Sequence, residues 1–487
     1  MLKLKVVLSL LSAVAIAQSE KLMNIHLKKQ HHTSDDMDQY IGQRQWQTDQ
    51  TQQVTLKSKF SNRISYTSEL YLGDDPQLSE LVFDTGSGWL IVTTTSCSSC
   101  ESKVYNPAKS SKSKMLERVP KTLKYGSATV MGQSYLDKVC LNEIVCADNF
   151  QFLAITVQTG IKGFDGILGL APDQESNGPS YVAKLKESKV IDKKQVGLYI
   201  ASDVDGSVMS FGGYDKEMLK SCSDNDGCGV HWYDLTGKNW WQIEIQDIVF
   251  DESSILGSST SKAIVDSGTS MITVPRDVFS KFKSTLDTSY SSEDISCDDQ
   301  DMMCFYQGEC KDYYSKFKHL KIQLGDRWVF TIPPQDYLVD QTIQGKQFCF
   351  FGVFGHDSNL VILGDAFLRT YYTVYDFDGD QVGVALHKYS LGTLEKKFPV
   401  WIIVMIVILG IFIILLIAYL IYRRYKNKKL KRIGGGTSGN DRKNSQLLRN
   451  QRQSGNMEQT EQLVDKRGLS GENNTSIQSL DQQDHNL

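Results

Sequence analysis

Two short motifs in this sequence each place an aspartate directly before a small hydroxyl residue and a glycine. Asp84 begins a D-T-G-S motif, and Asp266, 182 residues later, begins a D-S-G-T motif. Apolar residues precede both aspartates, so each carboxylate is predicted to end a strand and enter a turn that glycine permits. Two carboxylates held close together cannot easily both ionise, and such a pair shares one proton.

A carboxylate pair that shares one proton contains both a base and an acid. The base can deprotonate a water molecule while the acid protonates the carbonyl of a substrate amide, and the amide is then hydrolysed through a tetrahedral diol. The pair titrates as a unit, so neither Asp84 nor Asp266 keeps a fixed role. This chemistry requires no metal, no cofactor and no covalent intermediate, and it should be fastest at acid pH.

A second pair of motifs indicates an internal duplication. The first Asp motif is followed by F-D-G-I-L-G-L at 164–170, and the second is followed by L-V-I-L-G-D at 360–365. A single D-T-G is a weak signal, because Asp-Thr-Gly commonly ends a strand in a turn. Four elements in the same order predict two related lobes. If the lobes pack about a pseudo-twofold axis, Asp84 and Asp266 meet at the seam between them.

The sequence from 60 to 388 consists mainly of short β-prone runs separated by Gly, Asn, Asp and Ser. Helical patterns are sparse, and 180–188 and 276–284 are the better candidates. Many short strands with frequent turn signals predict a mostly β body.

These residues resemble those of the pepsin-type aspartic proteases, over 60–388 or roughly two thirds of the chain. The resemblance implies a bilobal, almost all-β fold with a long cleft that binds an extended peptide. Asp84 and Asp266 resemble the catalytic pair of that family. Ser87 and Thr269 resemble the hydroxyl residues that hydrogen-bond the outer carboxylate oxygens.

The resemblance also implies residues that contact a bound peptide. Gly86 and Gly268 are similar to the glycines whose backbone faces the dyad and the substrate. The segment 122–127 resembles the flap hairpin, in which Tyr125 and the backbone of Gly126 close over the peptide.

The flap region departs from the family pattern in two places. Family members often carry a Trp seven residues after the first catalytic Asp, where it supports the flap Tyr, but this position is Ile91 here. Trp89 lies two residues earlier. The flap tip at 127–129 also lacks the second Gly of many relatives. Both departures concern the support of the flap and the shape of the S1 pocket.

All 10 cysteines lie between Cys97 and Cys349. An even number in an oxidising compartment predicts disulfides, and the single C-x-x-C lacks the partner pair of a zinc ribbon, so a metal site is the weaker interpretation. By resemblance, Cys310 pairs with Cys349. Proximity along the chain suggests the pairs Cys97–Cys100, Cys140–Cys146, Cys222–Cys228 and Cys297–Cys304.

Two apolar runs frame the body. The first, 6–17, follows two lysines and ends in an A-x-A-like stretch, which predicts a cleaved signal peptide at 1–18. The second, 400–422, contains no charge and would be about 34 Å long as a helix, enough to span a bilayer core. A basic cluster at 423–432 follows it, and positive charge marks the cytoplasmic side, so the predicted topology is type I.

The predicted domain order follows from these segments. It comprises the signal peptide (1–18), a pro-segment or flexible leader (19–59), the protease-like body (60–390), a linker (391–399), the transmembrane helix (400–422) and a disordered cytoplasmic tail (423–487). The body divides into an N-lobe at about 60–232 and a C-lobe at about 233–390. In the leader, Lys28 or Lys29 could pair with the dyad until acid protonates the carboxylates, but a solvated charge run explains both lysines equally well.

The charge distribution of the chain is uneven. Residues 60–398 hold 32 basic and 45 acidic side chains, a balance of −13, whereas 423–487 hold 13 basic and 7 acidic, a balance of +6. The acidic body argues against nucleic-acid binding, because phosphate backbones need a positive surface. We therefore expect peptide or protein partners and a monomer, on the secretory or endolysosomal pathway or at the cell surface, with the body lumenal or extracellular.

The function that these residues predict is a membrane-tethered aspartic endopeptidase that works at acid pH. The alternative is a catalytically inactive relative that binds peptide or protein ligands in the cleft as a receptor. Both Asp motifs are intact, which favours the enzyme, because an inactive homologue is free to lose one of them. An adhesion ectodomain would leave the duplicated motifs unexplained.

Overall fold

The computed structural model describes most of the chain between residues 22 and 433. The described ranges are 22–31, 64–125, 128–172, 177–201, 206–221, 229–343, 345–397 and 400–433. Several predictions fall outside them: the signal peptide, most of the leader, Gly126, the Cys222–Cys228 pair and the tail beyond residue 433.

Strands dominate the body, as the sequence predicts. In the first half they are β1 (Met23–His31), β2 (Ile64–Leu72), β3 (Gln77–Asp84), β4 (Leu90–Thr93), β5 (Lys114–Met115), β6 (Lys121–Lys124), β7 (Thr129–Cys140), β8 (Cys146–Thr159), β9 (Gly166–Gly169), β10 (Gln195–Tyr199) and β11 (Ser207–Phe211). In the second half they are β12 (His231–Asp234), β13 (Gln242–Phe250), β14 (Ser253–Ser254), β15 (Lys262–Val265), β16 (Ile272–Pro275), β17 (Ser296–Asp298), β18 (Met303–Gln307), β19 (Leu320–Leu324), β20 (Trp328–Ile332), β21 (Leu338–Ile343), β22 (Lys346–Phe351), β23 (Val353–His356), β24 (Val361–Leu363), β25 (Tyr371–Asp376), β26 (Gln381–Leu386) and β27 (Thr393–Lys396).

Helices are few in the described body. They are α1 (Tyr181–Glu187), α2 (Arg276–Ser289), α3 (Pro334–Tyr337) and α4 (Asp365–Leu368), and α5 (Val400–Ile433) follows the body. The two predicted helical segments are α1 and α2. In α2 the buried residues Val278, Phe279, Phe282 and Leu286 recur at the spacing of an amphipathic helix, so one face packs on the core.

The predicted duplication is present in the strand pairing. In the first half, β3 runs parallel to β9, which runs antiparallel to β4. In the second half, β15 runs parallel to β24, which runs antiparallel to β16. The strand that ends at each Asp motif therefore pairs with the I-L-G strand that follows it in sequence. This repeat brings both Asp motifs to equivalent places in the two halves.

A shared sheet joins the two halves. Its strand order includes β12-β26-β25-β10-β11-β1, so three strands of the second half lie beside three strands of the first half before the sheet continues into β2 and β3. The mostly β, pepsin-like architecture is therefore confirmed. The predicted lobe boundary at 232/233 falls inside β12, a strand of this shared sheet.

Part of the predicted leader belongs to the body. Strand β1 pairs with β11 through Met23–Leu27 and with β2 through Lys28–His31. Ile25 and Leu27 are 8% and 2% exposed, so alternate side chains of β1 enter the core. Residues 23–31 are thus a sheet strand, whether or not proteolysis later separates them from β2, and the description of a flexible leader does not hold for them.

The predicted linker also contains a strand. Thr393–Lys396 form β27, which pairs with β20 at the edge of the C-terminal sheet. The Lys397 amide donates to the Arg327 carbonyl at 2.8 Å, and the Lys397 ammonium donates to Gln323 at 2.6 Å. Residues 393–397 of the predicted linker at 391–399 are therefore attached to the body by strand pairing and hydrogen bonds.

A buried ionic cluster lies where β2 meets the C-terminal half. Asp365 accepts a hydrogen bond from the Tyr66 hydroxyl and forms an ion pair with Arg369 at 2.8 Å. Beside it, Asp336 is 4% exposed and accepts a hydrogen bond from Thr370 at 2.8 Å. Burial raises the pKa of Asp336, although the Thr370 hydroxyl, Arg369 and, from β1, Lys29 act in the opposite direction.

Helix α5 is a second unit of the chain and is described by itself. Within it, Val404–Leu430 is long and apolar enough to cross a membrane, with a mean hydropathy of 3.3 over its most apolar 18 residues. Its described apolar side chains are largely exposed. The helix continues through the basic residues from Arg423 onward, beyond the predicted end of the span at Tyr422.

The packing of β1 predicts a stability effect. Leu27→Ala should lower the free energy of unfolding by about 2–5 kcal/mol, because it removes a buried side chain and leaves a cavity. His26→Ala is the matched control, since the neighbouring His26 side chain is exposed. Denaturant unfolding of the unprocessed chain measures both changes. Equal midpoints for the two variants would contradict the placement of β1 in the core.

The raised pKa of Asp336 predicts a pH dependence of stability. A carboxyl whose pKa is higher in the folded state contributes stability below its unfolded pKa and loses it as the pH rises through the folded pKa. Asp336→Asn should therefore reduce the loss of unfolding temperature between pH 4 and pH 7. Asp287→Asn, at an exposed position of α2, should leave that loss unchanged. An identical pH profile for the two variants would contradict the prediction.

Candidate active site

Asp84 lies at the end of β3, and the turn after it holds both carboxylate oxygens. Oδ1 accepts a hydrogen bond from the Gly86 amide at 2.8 Å, and Oδ2 accepts one from the Ser87 hydroxyl at 2.6 Å. The carbonyl of Asp84 accepts the Leu170 amide at 2.8 Å, which ties the turn to the I-L-G element. The carboxylate therefore has a fixed orientation.

Asp266 repeats this geometry in the second half. Its Oδ1 accepts the Gly268 amide at 2.8 Å, and its Oδ2 accepts the Thr269 hydroxyl at 2.6 Å. The amide of Asp266 donates to the Leu363 carbonyl at 3.1 Å. The side chain is 2% exposed. Matched distances at the two motifs indicate a pseudo-twofold site.

The two glycines place each motif against the carboxylate of the other half. A Cβ atom at Gly86 would lie 2.5 Å from Asp266 Oδ1, and one at Gly268 would lie 2.3 Å from Asp84 Oδ1. Both distances are too short for any side chain, so close approach requires glycine. Each glycine therefore packs directly against the carboxylate of the other half, and the Ser87 and Thr269 hydroxyls hold the two Oδ2 atoms.

A reciprocal set of hydrogen bonds joins the motifs behind the carboxylates. The Thr85 amide donates to the Ser267 hydroxyl at 3.0 Å, and the Ser267 amide donates to the Thr85 hydroxyl at 2.9 Å. The Thr85 hydroxyl also donates to the Val265 carbonyl at 3.2 Å, and the Ser267 hydroxyl donates to the Phe83 carbonyl at 2.8 Å. We call this set the hydroxyl cross-link.

The hydroxyl cross-link was not predicted from the sequence. Thr85 and Ser267 are 0% and 2% exposed, so their hydroxyl groups serve the interior and not the cleft. The available signal was that both motifs carry a small hydroxyl residue at the position after Asp. A hydroxyl can donate and accept at once, which is what a reciprocal link between two equivalent turns needs.

Tyr125 lies at the end of β6, in the predicted flap. Its amide donates to the Ala128 carbonyl at 2.7 Å, which closes the β6–β7 hairpin. Burial raises the pKa of the Tyr125 hydroxyl far above its ordinary value, and the negative charge of Asp84 adds to that effect. The hydroxyl therefore keeps its proton and lies close enough to Asp84 to sense its charge.

The residues that depart from the family pattern occupy different environments. Ile91 is fully buried in β4, opposite Leu153 of β8 and Ile167 of β9. Trp89 is half-buried and packs against the same apolar cluster as Tyr125. Ile91 is thus a buried member of that cluster, whereas Trp89 packs against the cluster and stays partly exposed.

Four disulfides are present in the described part of the chain. They are Cys97–Cys100, Cys140–Cys146, Cys297–Cys304 and Cys310–Cys349, which are the pairs suggested by proximity and resemblance. In the leader strand, Lys28 forms an ion pair with Glu69 at 3.6 Å. That lysine therefore has a partner on β2, and the hypothesis that it pairs with the dyad is not supported.

Comparisons with known proteins agree with this geometry. A family model described as eukaryotic aspartyl protease matches residues 65–387. Cathepsin E of Mus musculus is 28% identical over 66% of this chain and 80% of its own length. Vacuolar protease A of Neurospora crassa is 28% identical over 66% and 78%, and pepsin A of Suncus murinus is 28% identical over 66% and 81%.

The hydroxyl cross-link predicts a stability effect at the seam. Ser267→Ala leaves the buried Thr85 amide and Phe83 carbonyl without these partners and should cost about 1–3 kcal/mol of unfolding free energy. Ser79→Ala is the matched control: Ser79 is buried, and its hydroxyl has no hydrogen-bond partner among the described residues. Denaturant unfolding of both variants tests this, and equal stabilities would show that the cross-link contributes nothing.

Proposed function

Because this chain belongs to the eukaryotic aspartyl protease family, we propose that it is an aspartic endopeptidase with Asp84 and Asp266 as its catalytic pair. The observation that carries the proposal is the matched pair of carboxylates, each fixed by a glycine amide and a hydroxyl and each facing the glycine of the other half. A receptor that only binds peptides does not require this symmetry.

The proposed mechanism uses the inner oxygens of the two carboxylates. A water molecule between Asp84 Oδ1 and Asp266 Oδ1 is deprotonated by one carboxylate as it attacks the scissile carbonyl carbon. The other carboxyl group donates its proton to the carbonyl oxygen, which gives a tetrahedral diol. Collapse of the diol returns a proton to the leaving amine, so the pair exchanges roles once in each cycle.

The outer oxygens have a positioning role in this proposal. The hydroxyl groups of Ser87 and Thr269 donate to Asp84 Oδ2 and Asp266 Oδ2 at 2.6 Å. Each such bond to a charged acceptor fixes the rotation of its carboxylate. The inner lone pairs then remain directed at the water, so the reacting groups need little rearrangement.

The substrate in this proposal is an extended peptide that lies between the dyad and the flap. Gly86 and Gly268 give it room, because their missing side chains leave backbone exposed beside the carboxylates. Tyr125 covers the bound peptide from the flap; the contribution expected of Gly126 lies outside the described residues. The Tyr125 hydroxyl keeps its proton and can therefore donate a hydrogen bond on the flap side of the pair.

We also propose that α5 anchors this protease in a membrane with type I topology. The apolar stretch of α5 is long enough to span a bilayer. Basic residues follow this stretch from Arg423 onward, in the C-terminal part of the same helix. The four disulfides lie in the body, which favours an oxidising lumenal or extracellular side for it. Secretory or endolysosomal compartments, or the cell surface, satisfy both conditions.

The proposal makes a direct prediction about activity. Asp84→Asn and Asp266→Asn should each lower kcat by about 10²–10⁴-fold or more, because each removes a partner in proton transfer. The assay is cleavage of an unfolded protein between pH 3 and pH 6 by the detergent-solubilised full chain, after acid incubation to allow processing. Wild-type activity should decline toward neutral pH, because the proposed mechanism needs one proton shared by the pair. Unfolding temperatures of the variants serve as the folding control.

The same assay separates the enzyme from the receptor. A folded wild-type chain that binds a statine-type transition-state mimic but cleaves nothing from pH 3 to pH 6 would falsify the enzyme and support the receptor. Equal cleavage by wild type and both Asn variants would instead indicate a contaminating protease.

A further inference from the structure

Trp89 lies between the flap and the turn that follows Asp84, which we call the catalytic turn. It comes directly after Gly88, five residues beyond Asp84, and its indole is half-buried. A Cβ atom at Gly178 would lie 2.4 Å from the ring, and Gly178 has a φ of +83°, so this neighbour must be glycine. The loop at 178 therefore packs its bare backbone against one side of the indole.

The flap contacts the same indole through a lysine. The ammonium nitrogen of Lys121 lies 4.2 Å from the centroid of the Trp89 ring, which is within the range of a cation–π interaction, and Trp is the strongest aromatic partner for it. Lys121 is the first residue of β6, the strand that leads to Tyr125. The contact therefore joins the catalytic turn to the base of the flap.

The alternation of β6 places Lys121 on the face that carries Tyr125. Lys121, Leu123 and Tyr125 are half-buried, whereas Thr122 and Lys124 are exposed. Residues two apart in a strand lie on the same face. Leu123 and Tyr125 pack against the apolar cluster that also contacts Trp89, so this face of the flap is held toward the catalytic turn.

We propose that Trp89 is a positioning residue for the flap, and that it acts through the cation–π contact with Lys121. The proposal rests on the proposed protease function. In this chain Ile91 is a fully buried aliphatic member of the apolar cluster beneath the flap and offers no aromatic ring to it. Trp89 lies two residues nearer to Asp84 and presents an aromatic ring on the flap side. The ammonium of Lys121 contacts this ring, and the contact holds β6 close to the catalytic turn.

A lysine on a peripheral strand also has a general purpose, because charges there discourage edge-to-edge association. Lys124 provides the comparison. It lies on the same strand, carries the same charge and is exposed, and it has no ring contact in the described structure. If edge protection were the only purpose, Lys121 and Lys124 would be equivalent.

The test compares Lys121→Met with Lys124→Met in the solubilised full chain. Methionine keeps an unbranched apolar stem and removes the charge. Lys121→Met should raise KM for an unfolded-protein or peptide substrate about fivefold and change kcat less than about twofold, since the energy of a cation–π contact corresponds to a factor of about 2–30. Lys121→Arg should restore KM, and Lys124→Met should match wild type.

A second readout does not depend on catalysis. Hydrogen exchange of the β6 amides that pair with β7 should accelerate in Lys121→Met and not in Lys124→Met, because a loosened flap opens more often. Trp89→Ala should produce the same acceleration, and the double variant Trp89→Ala/Lys121→Met should add nothing to it.

The outcomes separate the inference from the function on which it rests. Equal KM and equal exchange in Lys121→Met and Lys124→Met, with cleavage intact, would overturn the role of Trp89 and leave the protease unaffected. A wild-type chain that cleaves nothing would contradict the proposed protease function. The hydrogen-exchange data would then be the only test of the contact between Trp89 and Lys121. Additive effects of Trp89→Ala and Lys121→Met would show that the two residues act independently.

Discussion

The hydroxyl cross-link between Thr85 and Ser267 is the constraint on which the rest of the site depends. Each hydroxyl accepts an amide from the opposite motif and donates to a carbonyl of the opposite strand, so neither turn reaches this geometry without the other. Buried and reciprocal bonds of this kind are costly to leave half-made. Because the cross-link lies directly behind Asp84 and Asp266, it fixes the separation of the two carboxylates. The shared sheet joins the two halves of the body that carry them.

The residues that carry the proposed chemistry could be predicted from the sequence, whereas several strands and contacts around the site could not. Local motifs identify Asp84, Asp266, Ser87 and Thr269, because Asp, hydroxyl and glycine at fixed offsets determine a turn, and the expected hydrogen bonds are present. Strands β1 and β27 could not be placed in the same way. Their partners, β11 and β20, lie far away in sequence, and short segments with many polar residues look like leaders and linkers until the pairing is known. The contact between Trp89 and Lys121 could not be predicted either, because it forms only where the fold brings the turn after β3 close to the start of β6.

Acid conditions fit several separate features of the body. The excess of carboxylates over cations gives a self-repulsion that protonation would relieve. The raised pKa of Asp336 means that this buried group is better tolerated when protonated, which favours the folded state at low pH. The proposed catalytic pair, which needs one shared proton, has the same preference. Stability and chemistry thus make compatible demands on the compartment, while the basic excess lies in the C-terminal part of α5, at 423–432.

The central claim is that the two carboxylates act as one unit across the seam. The most direct test is the affinity of a statine-type hydroxyl inhibitor, measured by calorimetry at acid pH on the wild type, Asp84→Asn, Asp266→Asn and the double variant. Because one inhibitor hydroxyl must contact both inner oxygens, we expect each single variant to lose nearly as much binding free energy as the double variant. Losses that add up independently, or a single variant that binds like the wild type, would contradict a shared dyad.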